Sequence, residues 1–151
     1  MIRQLVLVAG ILLAALSAGC EGPFALLPSG ALEGTTLPAP ESWSFTDDVD
    51  TVQLETQPAD PYSVNIWVIA LDDALYVHAG ASRATWVEHI EADPNVRLRV
   101  NESIYELSAS RVEAQEEFDR FSNAYEAKYG SRPRNESVVE AYLFRLEPRS
   151  L

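Results

Sequence analysis

The residues that could do chemistry gather between Tyr62 and Trp86: Asn65 and Trp67 in one apolar run, His78 at the end of the next, then Gly80, Ser82, Arg83 and Trp86. A hydroxyl and a guanidinium at the start of a helix, where backbone amides lack partners and the dipole is positive, make a seat for an anion. A flat ligand would lie against the indole of Trp67 or Trp86, with Asn65 helping to position it. The expected occupant is a planar anionic small molecule. His78 and His89 lie close in sequence across the same corner. A metal would need a third ligand from Glu88, Glu91 or Asp93, so solvated or hydrogen-bonded histidines are the ordinary reading and no metal is expected. No phosphate loop, dinucleotide fingerprint, nucleophile elbow or zinc-type cysteine pair is present.

Two hairpins must position these groups. SVNIWVIAL (Val64 to Leu71) and ALYVHA (Ala74 to His78) are β-branched and aromatic and flank Asp72 and Asp73, which suit a reversal. VRLRV (Val96 to Val100) and the run Ile104 to Val112 flank Asn101 and Glu102, and Arg97 and Arg99 alternate with apolar neighbours. Between the hairpins Gly80 to Glu91 reads as a short helix, which Ser82 can cap and Pro94 follows. Asp47 to Thr56 supplies a first strand with Val52 and Leu54 on one face and Gln53 and Glu55 on the other. A longer amphipathic helix runs from about Ala114 to Lys128. Its stripe Phe118, Phe121 and Tyr125 reads as core packing, its first turn is acidic and Gly130 stops it. The segment containing Ala141, Leu143 and Leu146 closes the sheet. The fold class is mainly β with α, an antiparallel split β-barrel of about six strands with a short corner helix and one longer amphipathic helix.

The composition is that of an ordinary globular domain, 47% hydrophobic and 23% charged, with a formal net charge of -12. Nucleic acid is excluded as a partner, since phosphate backbones demand clustered cations. The start, MIRQLVLVAGILLAALSAGC, has one basic residue, an apolar run and small residues, the pattern of a secretory leader. Its end, Leu16-Ser17-Ala18-Gly19-Cys20, resembles the lipobox of bacterial lipoproteins. Residues 1–19 are therefore expected to be a lipoprotein signal peptide. Cys20 is the expected lipidation site, and residues 20–42, rich in Pro and Gly, a spacer; the domain occupies 43–151. The address is the cell envelope on the periplasmic side, lipid-anchored. Glu21 is not the Asp that retains lipoproteins at the inner membrane, which favours the outer one.

The run LYVHAGASRATWVEHIEADPNVRLRV is similar to a stretch of the flavin-binding split-barrel proteins, the pyridoxamine-phosphate oxidase and deazaflavin-dependent nitroreductase superfamily. In these a strand leads to a Ser-Arg-Lys corner, a short helix, an Asn-Pro or Asp-Pro step and a further strand. IYELSASRVEAQEEFDRFSNAYEAKYG resembles the deazaflavin-reductase continuation, an Ala-x-Arg-Val run before a helix ending in Lys-Tyr. The similarity spans about Val49 to Leu146. It implies phosphate contacts from Ser82 and Arg83, FMN or a deazaflavin as cofactor, flavin- or deazaflavin-dependent oxidoreductase activity, and a homodimer sharing the ligand. The chain has Ala84 where the family's Lys stands, and Asn65 where many relatives carry a base. The alternative is thus a cofactor-free ligand-binding or scaffold lipoprotein that keeps the fold without catalysis.

Overall fold

Alternation decides the strands, and turn residues decide where they reverse. The computed structural model describes residues 30–150; the expected leader and Cys20 lie outside the described residues. The strands are β1 (Thr35–Leu37), β2 (Thr51–Thr56), β3 (Tyr62–Trp67), β4 (Ile69–Leu71), β5 (Ala74–His78), β6 (Asn95–Val100), β7 (Ser103–Arg111) and β8 (Leu143–Pro148). The helices are α1 (Thr85–Ala92) and α2 (Gln115–Tyr129). Asp72 and Asn101, at the two hairpin reversals, adopt φ of 54° and 55°, which Asp and Asn tolerate better than most side chains.

The ladder runs β3-β2-β6-β7-β8-β5-β4, with neighbours antiparallel; β1 pairs in parallel with the start of β7. Its two outermost strands, β3 and β4, are separated only by Val68. They form one bent strand that bonds β2 before the bend and β5 after it, so the sheet curls into a barrel and neither of these edges is left open. Counting that strand once, six strands make the wall, as the sequence implies.

The bend interrupts the ladder, and the end of α2 supplies the missing partners. The Val68 N–H donates to the Tyr129 hydroxyl at 3.1 Å, and its carbonyl accepts from Lys128 Nζ at 2.9 Å. Lys128 also donates to the carbonyls of Thr46 and Val49 at 2.9 and 2.8 Å. One ammonium thus spends three donors on three backbone acceptors where the barrel is split. Burial lowers the Lys128 pKa, opposed by nearby Asp47, Asp50 and Asp48.

Two apolar clusters divide the strand faces. Inside the barrel, Val52, Leu54, Leu75, Val77, Leu98, Leu107 and Leu146 pack around Trp86, Val87 and Ile90 of α1. Outside, Phe118 and Phe121 of α2 cover Ile69, Tyr76 and Leu143. On β5 the period-2 alternation therefore sends Leu75 and Val77 inward while Tyr76 and His78 face α2.

Three local features go beyond the sequence reading. Within the expected spacer, Leu32 is buried and its N–H donates to Glu55, and β1 lies there too. Glu55, on the face opposite Val52 and Leu54, is only 2% exposed, and Arg97 chelates it at 2.9 and 3.0 Å; a buried carboxylate needs such a partner. Ser82 does not cap α1. Its carbonyl accepts the Ala84 N–H in a tight turn, and Ala84 stands at the cap without a side-chain bond.

Candidate functional site

The outward faces of β3 and β5 carry Asn65, Trp67, Tyr76 and His78, alternating with the inward Ile66, Leu75 and Val77. Where these faces meet the C-terminal half of α2 they enclose a cleft of about 200 Å³, lined also by Phe121 and Tyr125. Trp67 is half exposed and stacks on Tyr129, with ring centroids 4.4 Å apart and planes tilted by 14°; Tyr125 lies 5.9 Å away. The His78 ring sits 5.6 Å from Phe121 and 6.3 Å from Tyr125. Its Nε2 is buried without a hydrogen-bond partner among the described residues, and burial drops the imidazole pKa to about 4. The ring is therefore neutral at ordinary pH and presents one unsatisfied polar atom to an aromatic hollow.

The tyrosines around it are held protonated. Burial, reinforced by Glu117, which accepts the Tyr76 hydroxyl at 2.8 Å, pushes Tyr76 up to about 12. Burial likewise takes Tyr129 up to about 12 and raises Tyr125. The walls are thus uncharged, suited to a flat conjugated molecule.

Asn65 borders a second, open groove of about 270 Å³ with Thr51, Gln53, Arg99 and Asn101. The register explains it: Gln53 pairs with Asn65 on one side and Arg99 on the other, so these side chains form a row across three adjacent strands. A third cleft, of about 600 Å³, meets the aromatic one at Ile69 and runs beside the end of α2, lined by Asp47, Asp48, Asp50 and Lys128. Its acidic rim disfavours anions.

Of the residues the sequence singles out, Asn65, Trp67 and His78 converge on the aromatic cleft, and Gly80 adjoins it. Gly80 has φ of +64°, and a Cβ there would lie 4.0 Å from the His78 ring and 3.6 Å from Asn135. Ser82, Arg83 and Trp86 line neither the cleft nor the groove. Arg83, about half exposed, donates to Glu91 through Nε at 3.1 Å and through its terminal nitrogen, with Glu88 at 3.8 Å. That pairing raises its pKa further and commits its charge to the corner helix. Trp86 is 6% exposed and packs edge-on against Phe144 inside the barrel, so it offers no face to a ligand. The corner therefore does not assemble as the expected seat for ring and anion together. The two histidines part as well, since His89 bonds Thr56 through Nδ1 at 3.0 Å and meets Tyr62 edge-on.

The sequence reading assigns Tyr125 to core packing and Arg99 to the polar face of a strand, and does not single out Tyr129. A signal was present in the α2 stripe: Phe at its first two positions is buried outright, whereas tyrosine at the third and again at Tyr129 marks where the stripe reaches water.

Residues 45–143 match the family described as an uncharacterized protein conserved in bacteria, DUF2255. The chain belongs to this family. No curated protein matches its sequence. Solved structures place the DUF2255 chain in the pyridoxamine-phosphate oxidase-like split-barrel fold. It is similar to the conserved hypothetical protein Rv2991 from Mycobacterium tuberculosis, 17% identical with a TM-score of 0.55 over 71% of this chain and 78% of that one. A putative pyridoxamine 5'-phosphate oxidase from Listeria innocua is 15% identical, TM-score 0.55, over 71% and 90%. An FAD-binding protein from Mesorhizobium loti is 13% identical, TM-score 0.53, over 73% and 88%. At such identities the likeness of this DUF2255 domain is one of fold.

Proposed function

We propose that this chain is a lipid-anchored envelope protein whose split barrel binds a flat conjugated ligand of the flavin class in the cleft between β3, β5 and α2. The observation that carries the reading is the convergence of Trp67, Tyr125 and the unpartnered His78 Nε2 on one uncharged hollow. Trp67 and Tyr125 would hold the ring face, and His78 would meet a heteroatom at its edge; the neutral imidazole can donate or accept there. Two proteins of the same fold are described by the flat conjugated groups they handle, the FAD-binding protein of Mesorhizobium loti and HutZ, the heme storage protein of Vibrio cholerae. Another is a domain-swapped dimer, which supports a homodimer here, with the exposed side of Trp67 closed by the second copy. A bound flavin would supply hydride or electron transfer; the residues of this chain would shield and orient it. Cys20 would carry the lipid, tethering the domain on the periplasmic side of the envelope, with the outer membrane favoured by Glu21.

The pairing of Arg83 with Glu91 favours a second reading: a barrel that keeps the ring cleft, takes a flat ligand without a cofactor role, and catalyses nothing. Titrating the detergent-extracted full chain with riboflavin tests the reading through quenching of flavin fluorescence. The expected result is saturable binding that Trp67→Ala weakens about tenfold or more, as for ring stacking elsewhere. No quenching at tens of micromolar protein would discard it.

A further inference from the structure

A cleft of about 200 Å³ is small for a cofactor-sized ligand, and the groove beside it, about 270 Å³, is too open to hold a ring. Small-molecule sites usually occupy ~300–1,000 Å³. Asn65 borders both spaces, so the two adjoin on the outside of β3, β2 and β6. Its two ends differ in chemistry: aromatic and uncharged at Trp67, His78 and Tyr125, cationic and amide-rich at Gln53, Arg99 and Asn101.

We infer that Arg99, not Arg83, is the anion-binding residue of this site, and that its ligand is mononucleotide-like, a flat heteroaromatic ring in the aromatic cleft joined to a phosphate at Arg99. The inference rests on reading the aromatic cleft as the ring site. Asn65, Gln53 and Arg99 are consecutive partners across three strands, so Asn65 and Arg99 stand two strand spacings apart, roughly 10 Å. That is the span between a fused ring system and a phosphate on a short polyol or ribose linker. Arg99 Nε donates to the Asn101 carbonyl at 2.9 Å, which fixes the guanidinium at the rim of the groove. A phosphate has oxygens enough for the guanidinium together with the neighbouring amides, where a carboxylate has two.

Five other cations are placed against this role. Lys128 serves three backbone carbonyls and lies by the acidic cleft, and Arg97 chelates the buried Glu55. Arg145 and Arg120 pair with Glu117 and Asp72. Arg111 stacks over the Tyr142 ring, 4.3 Å from its centroid, and donates to the Ala141 carbonyl. Arg99 lines the groove that meets the ring cleft at Asn65, whereas Lys128 lines the one that meets it at Ile69, where Asp47, Asp48 and Asp50 form the rim.

FMN and riboflavin differ only by the phosphate, so comparing them on the full chain by flavin fluorescence isolates this end of the site. The wild type is expected to bind FMN at least tenfold more tightly than riboflavin, with the difference shrinking as salt rises. Arg99→Gln should erase that preference and leave riboflavin binding unchanged, Arg99→Lys should recover part of it, and Arg83→Gln should leave both affinities as they were. Equal affinity for the two flavins in the wild type, or a preference that survives Arg99→Gln, overturns the phosphate seat while leaving the ring site standing. Failure of both flavins to bind overturns the ring site and this assignment together.

Discussion

Single side chains at the barrel's split do more than their types announce. Replacing Lys128 with Met would take one donor from each of three carbonyls; Thr46 still accepts the Val49 N–H and Val68 stays within reach of the Tyr129 hydroxyl, so the Val49 carbonyl loses most, and a loss of about 1–3 kcal/mol is expected in urea unfolding. Lys128→Arg should recover little, because a planar fork cannot aim three donors at carbonyls arranged around a point charge. His78 gives the domain an acid-side weakness. Unfolded, it takes a proton near pH 6.5; folded, it resists until about 4. Below 6.5 the unfolded chain binds more protons, so stability falls as pH drops through that window and the loss levels off below about 4, at up to about 3 kcal/mol. Melting temperatures of His78→Gln should therefore gain on the wild type between pH 6.5 and 4 and not above pH 7. Asn65, Trp67 and His78 are legible in the sequence as groups near strand ends beside the corner; that all three share an outward face is seen only in the structure. Arg83 misled because its partner Glu91 lies eight residues on, along a helix whose rotation the sequence leaves open.

At the scale of elements, the hairpins, α2 and the closing strand follow from periodicity and turn chemistry, and they appear where the sequence puts them. β1 does not announce itself. Thr35 to Leu37 shows no alternation, and what holds the segment is remote: the Glu102 carbonyl for the Thr35 N–H and the Glu55 carboxylate for the Leu32 N–H. Gly34 permits this approach, since a Cβ there would stand 2.6 Å from the Glu102 carbonyl oxygen. Gly34→Ala should detach β1 without unfolding the barrel, visible as faster amide exchange at Thr35 and Leu32 while the amides of β6 stay protected. The bend at Val68 was equally hidden, because SVNIWVIAL reads as one uninterrupted strand. Only the bonds from Lys128 and Tyr129, sixty residues on, show where it breaks.

The whole molecule combines a net charge of -12 with a ligand surface that has its cation at one end. Acidic residues cluster instead around the third cleft, by α2, so long-range repulsion would slow the approach of an anionic ligand while Arg99 holds it once docked. No described helix is long and apolar enough to cross a membrane; the proposed attachment is the lipid on Cys20. Cys20→Ala is expected to move the protein from the membrane pellet to the soluble fraction and to leave flavin affinity unchanged. The central claim, that a flat ligand occupies the Trp67–His78 cleft and not the Gly80 to Trp86 corner, meets its most direct test in NMR spectra of the full chain titrated with riboflavin. The chain has three indole N–H groups, on Trp43, Trp67 and Trp86. The account predicts that the Trp67 indole and the His78 Cε1–H shift together while Trp86 and the Arg83 Nε–H stay in place; shifts confined to Trp86 and Arg83, or none at all, would contradict it.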